Sequence, residues 1–302
     1  MPPPHIHATP PLRDPHATRC LVPPELPRPS SCQVSTIDAH AKSNIQPRDV
    51  VLSILPCWHV LERTVEYSVL AKGCRLVYSS VATFKKDLKK FKPHYLVGVP
   101  RLYDVLHKGV VTSLAQMPKP KRVLVAALSA VCRTSMLLRR IACAQVQGAR
   151  AVPSLPLRLA ARLLSLLLAP IVALASKLVW SKVLAGLGGR LKVAICGGSA
   201  LAPHLEDFYE MAGLDLLVGY GLTETSPVAA CRAVDKNLRG SAGPAIAGTE
   251  LSIVQPETRE EVPLGQEGLV LIRGPGVMQG YWRDEEATAK AIDANGFSIR
   301  AT

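Results

Sequence analysis

The sequence lacks the cysteine patterns of small metal-bound or disulfide-linked domains. Its eight cysteines include no C-x-x-C pair, and they form no cluster with histidine at the spacing of zinc ligands. The first residues contain no charged-then-apolar run followed by a small-residue cleavage site. These absences argue against a secreted protein and indicate an intracellular, reducing compartment.

Acidic residues are missing from a long stretch, because none occurs between Asp104 and Glu206. The formal net charge of +13 therefore belongs largely to this one segment, which contains fourteen lysines and arginines. An anionic membrane or an acidic protein fits such a segment. Nucleic acid does not, because aromatic residues make up only 5% of the chain and no recognition motif is present.

Long charge-free runs are also missing. The run LLSLLLAPIVALAS, from Leu163 to Ser176, falls short of the ~18 to 20 apolar residues that a membrane-spanning helix needs. Two interpretations stay open for it: a helix that lies in the membrane interface, or a long core helix with a solvated basic face. The basic residues that flank the run are Arg158, Arg162, Lys177 and Lys182.

The chain divides into three parts by composition. Residues 1–46 are proline-rich without apolar periodicity, which predicts a disordered leader. A transit peptide is an alternative for this leader, although it contains three acidic residues. Residues 47–236 alternate apolar runs with helical stretches, and residues 237–302 contain hairpin signals that predict a partial β subdomain.

Five short apolar runs predict the strands of the central part: VVLSILP, CRLVYSS, HYLVGVP, LKVAICGG and LDLLVGYG. They are rich in Val, Ile and Leu on both faces, as strands buried from both sides are. Amphipathic stretches such as FKKDLKKFK and PHLEDFYEMAG separate them. The pattern predicts an α/β fold, a parallel sheet flanked by helices, with a basic, leucine-rich helical insert at about 118–190.

Two of these strands end in loops that can bind a ligand. LKVAICGGSAL ends in Gly197, Gly198 and Ser199, and LDLLVGYG ends at Tyr220 and Gly221. Carboxyl ends of neighbouring parallel strands form one crevice, where α/β proteins bind ligands. Uncovered backbone N–H groups in glycine loops let a phosphate or a planar ring approach closely.

The second loop continues with Thr223 and Glu224. A hydroxyl can hold a phosphate, and a carboxylate can ligate the Mg²⁺ that accompanies it. A helix cap with an acidic first turn explains the same string and stays open as an alternative.

Several motifs in a fixed order resemble the adenylate-forming, acyl-activating ligase superfamily. They are GGSAL at 197–201, GYGLTETSP at 219–227, GSAGPAIAGTELSIV at 240–254 and EGLVLIRGPGVMQGYW at 267–282. LPCWHVLER at 55–63 resembles the branch of long-chain acyl-CoA and acyl-acyl-carrier-protein synthetases, especially the plastid type. The resemblance covers roughly 47–291 and includes the basic insert.

The resemblance implies a two-step reaction, in which a fatty acid attacks ATP to give an acyl-adenylate and a thiol then takes the acyl group. It implies that Glu224 assists Mg²⁺ and that Thr223 holds the α-phosphate. Tyr220 and Gly221 would line the adenine together with the backbone of the 197–199 loop, and His59 would contact or gate the acyl carboxylate. Coenzyme A or acyl carrier protein would accept the acyl group, and the basic insert would dock a carrier protein or an anionic membrane.

The sequence departs from this family at both ends. It contains no Ser/Thr/Gly-rich phosphate loop before LPCWHVLER, and no C-terminal small domain with a catalytic lysine after EEATAKAIDANG. We therefore expect this 302-residue chain alone to have little or no ligase activity. The alternative hypothesis is a non-catalytic remnant that docks on a membrane or a carrier protein.

Overall fold

The computed structural model describes residues 44–145 and 153–299. The predicted leader at 1–46 lies almost entirely outside the described residues. The first sheet contains β1 (Val50–Ser53), β2 (Arg75–Tyr78), β3 (Tyr95–Gly98), β4 (Val193–Cys196), β5 (Asp215–Tyr220) and β6 (Ala230–Cys231). The helices among them are α1 (Val60–Ala71), α2 (Phe84–Phe91), α3 (Pro100–Ala115), α4 (Lys119–Ala142), α5 (Leu155–Ala175), α6 (Ser181–Gly186) and α7 (Pro203–Met211).

The strands of the first sheet lie in the order β2-β1-β3-β4-β5-β6. β1 to β5 pair with one another in parallel, which confirms the predicted parallel sheet flanked by helices. The sequence reading missed β6, a two-residue strand that pairs antiparallel with β5. Two residues are too few to show a period of alternation, so this strand has no sequence signal.

The strand order reverses between β1 and β3. From β1 the chain moves outward to β2, and from β3 it moves in the opposite direction through β4 to β5. Right-handed crossovers in opposite directions place their helices on opposite faces of the sheet. The reversal also leaves a crevice at the carboxyl ends of the strands, which is where α/β sheets bind ligands.

The two faces of the first sheet are covered unequally. One face is covered by α2, α3, α4, α6, α7 and the end of α5, and its core includes Leu52, Leu96, Ala194 and Leu216. The other face packs against α1 alone among the described helices, and its core includes Val51, Tyr95, Val193 and Leu217. We call them the closed face and the open face. Adjacent residues of β1, β3, β4 and β5 point to opposite faces, as the pleat requires.

A second, antiparallel sheet follows, with β7 (Glu250–Val254), β8 (Leu269–Arg273) and β9 (Ser298–Ile299) in that order. The helix α8 (Glu285–Ala291) lies between β8 and β9 in the chain. TELSIV and GLVLIRG therefore form strands, as their pattern predicts.

The basic insert is helical and largely unpacked on one side. α5 continues through a π-helical turn at Ser176–Trp180 into α6, so Leu155–Gly186 is one helix of 32 residues. The whole helix is long and apolar enough to cross a membrane by length and composition, although the charge-free run from Leu163 to Ser176 within it is shorter than a span. Only 22% of its most apolar window is buried.

Candidate active site

A cavity of about 320 Å³ lies on the open face, between the sheet and α1. The sheet contributes apolar side chains such as Val51, Tyr95, Val97 and Ile195. α1 contributes side chains from its first three turns, and the loop after β5 forms a polar end. The cavity thus lies at the β1/β3 reversal and combines an apolar floor with a polar rim.

Nearly all of the site residues that were predicted from the sequence line this cavity. Ser199 is exposed and lies outside the lining. The predicted residues that do line it are His59, Gly197, Gly198, Tyr220, Gly221, Thr223 and Glu224. Segments as far apart in sequence as 59 and 224 therefore meet around one space.

Glu224 is held by a residue that the sequence reading did not select. The Tyr281 hydroxyl donates to Glu224 Oε1 at 2.8 Å, and the Met278 N–H donates to the Glu224 carbonyl at 2.8 Å. The hydrogen bond to Glu224 raises the pKa of Tyr281. Tyr281 belongs to the GYW string of the fourth motif, which was the available signal.

The turn that carries Glu224 is a single 3₁₀ turn, Thr223–Thr225. The capping alternative does not describe it, because no α-helix follows and Thr223 makes no capping bond. Thr225 braces the turn instead, since its Oγ1 accepts from the Leu222 N–H at 2.9 Å. Gly221 is required just before it, because a Cβ there would collide with the Pro227 carbonyl.

His59 caps α1. Its Nδ1 accepts from the Leu61 N–H at 3.2 Å, and its side chain is exposed to the cavity. In the neutral imidazole the proton is then on Nε2, which is a donor available to a ligand. The prediction that His59 contacts an acyl carboxylate is compatible with this geometry and stays a prediction.

The 197–199 loop approaches the cavity with its backbone. Gly198 has φ +85°, a left-handed conformation that favours glycine. A Cβ on Gly197 would lie 3.4 Å from Leu61 Cδ2 and 3.7 Å from the Gly219 carbonyl oxygen. These are ordinary van der Waals contacts, so of the two positions Gly198 is the one whose backbone requires glycine.

Two buried carboxylates of α1 lie beside this site. Glu62 is 1% exposed, and neither of its carboxylate oxygens has a hydrogen-bond partner among the described residues. Burial raises the pKa of Glu62 to about 7, and the negative charge of Glu66 contributes to this rise. The Ser53 hydroxyl lies close enough to lower the pKa, but it does not form a hydrogen bond of normal geometry with the carboxylate. Glu62 lies within the string LPCWHVLER, and Glu66 follows it by three residues. The motif predicted a role for His59 but not for either glutamate.

A buried ion pair anchors the loop after β6. The guanidinium of Arg232 is 1% exposed and contacts both carboxylate oxygens of Glu206, at 3.0 and 3.1 Å. Its Nε also donates to the Ser241 carbonyl at 2.7 Å. Arg239 donates to the Glu206 carbonyl at 2.6 Å. α7 is thereby fixed to the segment that leads into the second sheet.

A family model described as AMP-binding enzyme matches residues 30–282. The chain belongs to this family. The match includes every residue of the cavity lining.

Named relatives of this AMP-binding chain are fatty acid ligases. A chloroplastic long-chain-fatty-acid–acyl-carrier-protein ligase of Arabidopsis thaliana is 36% identical over 83% of the chain. A long-chain-fatty-acid–CoA ligase of Mycobacterium bovis is 28% identical over 89% of it. The chain spans 35% and 41% of the length of these two relatives.

Solved structures show the same fold at low identity. ATP-bound MatB from Rhodopseudomonas palustris matches 90% of the chain with a TM-score of 0.57 and 20% identity, and the match covers 40% of that protein. A long-chain-fatty-acid–CoA ligase from Archaeoglobus fulgidus matches 90% with a TM-score of 0.56 and 16% identity, and the match covers 44% of it. The architecture of the AMP-binding family is therefore present here.

Proposed function

We propose that the cavity on the open face is the acyl-adenylate part of a site that activates long-chain fatty acids. The observation that carries the proposal is the convergence of Glu224, Thr223 and the two glycine loops at the polar end of an apolar cavity. In the reaction, the fatty acid carboxylate attacks the α-phosphorus of ATP and pyrophosphate leaves. The thiol of coenzyme A or acyl carrier protein then attacks the acyl carbonyl, and AMP leaves.

The polar end of the cavity fits an adenylate. The Gly198 N–H and the Thr223 hydroxyl offer donors for phosphate oxygens, which need fixed donors as negative charge develops. The Gly197 N–H donates to the Gly98 carbonyl at 3.1 Å, so this glycine contributes to the lining and not a donor. Tyr220 offers an aromatic face for adenine. The apolar floor of Val51, Val97 and Ile195 offers a dry surface for part of an acyl chain.

The residues present also fit Mg²⁺. Glu224 offers a carboxylate whose Oε1 is oriented by Tyr281, and oxygen ligands of this kind suit a hard cation that keeps several waters. Glu224 would hold the ion, with Thr223 beside it. Bound there, Mg²⁺ would neutralise phosphate charge.

Calorimetry with a non-hydrolysable acyl-adenylate analogue tests the proposal, with and without Mg²⁺. We expect the purified chain to bind the analogue, and Glu224→Gln to remove the Mg²⁺-dependent part of the affinity. Tyr281→Phe should weaken the Mg²⁺-dependent affinity less, by about 1 kcal/mol, the typical contribution of one hydrogen bond. Glu286→Gln, on the exposed surface of α8, is the matched control.

Absence of analogue binding by a folded wild-type chain would contradict the proposal. It would favour the alternative of a non-catalytic docking protein. Equal Mg²⁺ dependence in the wild type and in Glu224→Gln would contradict the role of Glu224 alone.

We also propose that α5 docks on an anionic membrane surface. Leu163 and Leu167 are 62% and 67% exposed, although α5 is the most apolar helix in the described part of the chain. Fatty acids partition into membranes, and basic residues along the same helix fit anionic headgroups. Two relatives that are 36% identical are named chloroplastic, which supports a plastid as the compartment.

Co-sedimentation with vesicles tests this docking. The wild type should bind vesicles that contain anionic lipid more tightly than neutral vesicles, with an affinity that falls as salt rises. Leu163→Ser/Leu167→Ser should lose most of the binding. Leu264→Ser, at a site 90% exposed near the second sheet, should not. Equal binding by both variants would contradict the proposal.

A further inference from the structure

Three potential metal ligands converge on the closed-face side of the sheet, away from the candidate active site. Asp104 and His107 lie on α3, and His204 is the second residue of α7. One ligand atom from each lies within 4.8 Å of the other two. The fold produces this convergence, because α3 and α7 follow the neighbouring strands β3 and β4 and begin at the same edge of the sheet.

Local geometry supports the same grouping. Asp104 and His107 are three residues apart on one helix, a spacing that puts both side chains on one face. The rings of His107 and His204 have centroids 5.5 Å apart, and Phe208 packs edge-on against His107 at 4.6 Å. The phenylalanine therefore restricts the orientation of the His107 ring.

His107 carries an unused polar atom. Its Nδ1 is shielded from solvent and has no hydrogen-bond partner among the residues the structure describes. A buried, unpartnered nitrogen is unfavourable, and an imidazole lone pair is a strong ligand for divalent transition metals. Coordination of an ion through Nδ1 would give this nitrogen the partner that the neighbouring side chains do not.

The same space contains one competing cation. Lys108 Nζ lies 2.6 Å from Asp104 Oδ2, in a pair whose lysine side chain is 72% exposed. An exposed pair of this kind is weak, so a divalent ion can displace the ammonium. Removal of Lys108 should then favour the ion.

We propose that Asp104, His107 and His204 form a site for a divalent transition-metal ion of the Zn²⁺ class, which clamps the first half of α3 to the start of α7. Two imidazoles and one carboxylate are a donor set that suits Zn²⁺ or Co²⁺. With metal–ligand bonds of about 2.0 to 2.2 Å, tetrahedral ligands lie about 3.3 Å apart, so each pair of groups must close by at most about 1.5 Å. His204 is exposed at a helix start and can make that movement.

The test is titration of the full chain with Co²⁺, followed by visible absorption and by the thermal unfolding midpoint. Four histidines near the N-terminus can bind ions nonspecifically, so the background for every variant is a chain with His5, His7, His16 and His40 replaced by Ala. In this background we expect Co²⁺ to bind and to raise the unfolding midpoint, because it stabilises only the folded state.

His204→Gln should weaken Co²⁺ binding by more than about tenfold, at least the loss that follows removal of a supporting residue around a metal. This position is exposed, so the variant should fold. Lys108→Ala, which leaves all three ligands in place, should strengthen binding. A background chain that does not bind Co²⁺, or His204→Gln with unchanged affinity, would overturn the proposal.

Discussion

The two faces of the first sheet differ in how completely they are covered and in how their buried charges are paired. On the closed face, helices on that side share one large core with the strands, and the neighbouring Glu206 and Arg232 satisfy each other. On the open face, α1 is the covering helix among the described residues, a cavity lies directly against the strands, and Glu62 has no partner. The cavity of about 660 Å³ on the closed face lies between its helices and not against the strands. The closed face thus provides stability, and the open face leaves room for a ligand at some cost in stability.

Glu206→Gln should have the largest effect, because it leaves the buried guanidinium of Arg232 without its anion. Breaking a buried pair in this way costs about 3–5 kcal/mol. We expect a loss of this size in the free energy of unfolding, measured with urea. The control is Glu286→Gln, whose carboxylate pairs with Lys290 in solvent. Equal effects of the two variants would show that the closed face does not depend on its buried pair.

Leu216 and Leu217 compare the faces within one strand. Both are 0% exposed, but Leu216 belongs to the closed-face core and Leu217 to the open-face core. Leu216→Ala should cost about 3–5 kcal/mol and Leu217→Ala about 2–3 kcal/mol, because the face of Leu217 is covered by one described helix and can relax further into the void. The difference in urea midpoints measures how enclosed each face is. A larger loss at Leu217 would reverse the comparison.

Glu62→Gln should have the smallest effect, and the effect should depend on pH. The folded pKa of about 7 lies above the ordinary value of 4.5, so folding favours the protonated carboxyl. The contribution of Glu62 to stability is therefore fully present below pH 4.5 and is lost as pH rises through 7. Above that pH the glutamine variant should be more stable than the wild type, by on the order of 2 kcal/mol.

The measurement for Glu62 is the free energy of unfolding between pH 5 and 8.5. The wild type should lose stability across this range relative to Glu62→Gln. Glu257→Gln, in an exposed turn, should follow the wild type. Parallel curves for the wild type and Glu62→Gln would contradict a buried, uncompensated carboxylate.

Sequence patterns predicted the strands well because buried parallel strands read as short apolar runs. The reading of LKVAICGG and LDLLVGYG as neighbours also placed Gly197 and Glu224 at one edge of the sheet. The strand order did not follow from the sequence, since the reversal between β1 and β3 depends on which crossover packs on which face.

The sequence could not predict contacts that join distant segments. Tyr281 and Glu224 are 57 residues apart, and the motif that contains each of them does not predict their hydrogen bond. Glu62 lies in the first turn of α1, where an acidic side chain is usual, and only the packing of the helix buries it. Asp104, His107 and His204 have no shared motif, and only the packing of α3 near α7 brings them together.

The three tryptophans fall into two environments that fluorescence can distinguish. Trp58 and Trp282 are 83% and 86% exposed, and they adjoin His59 and Tyr281 at the rim of the cavity, whereas Trp180 is 3% exposed in the closed-face core. Red-shifted emission therefore comes from the neighbourhood of the candidate site, and blue-shifted emission from the packed core. Quenching by iodide separates the two signals, so ligand occupancy and unfolding can be followed in one unlabelled sample.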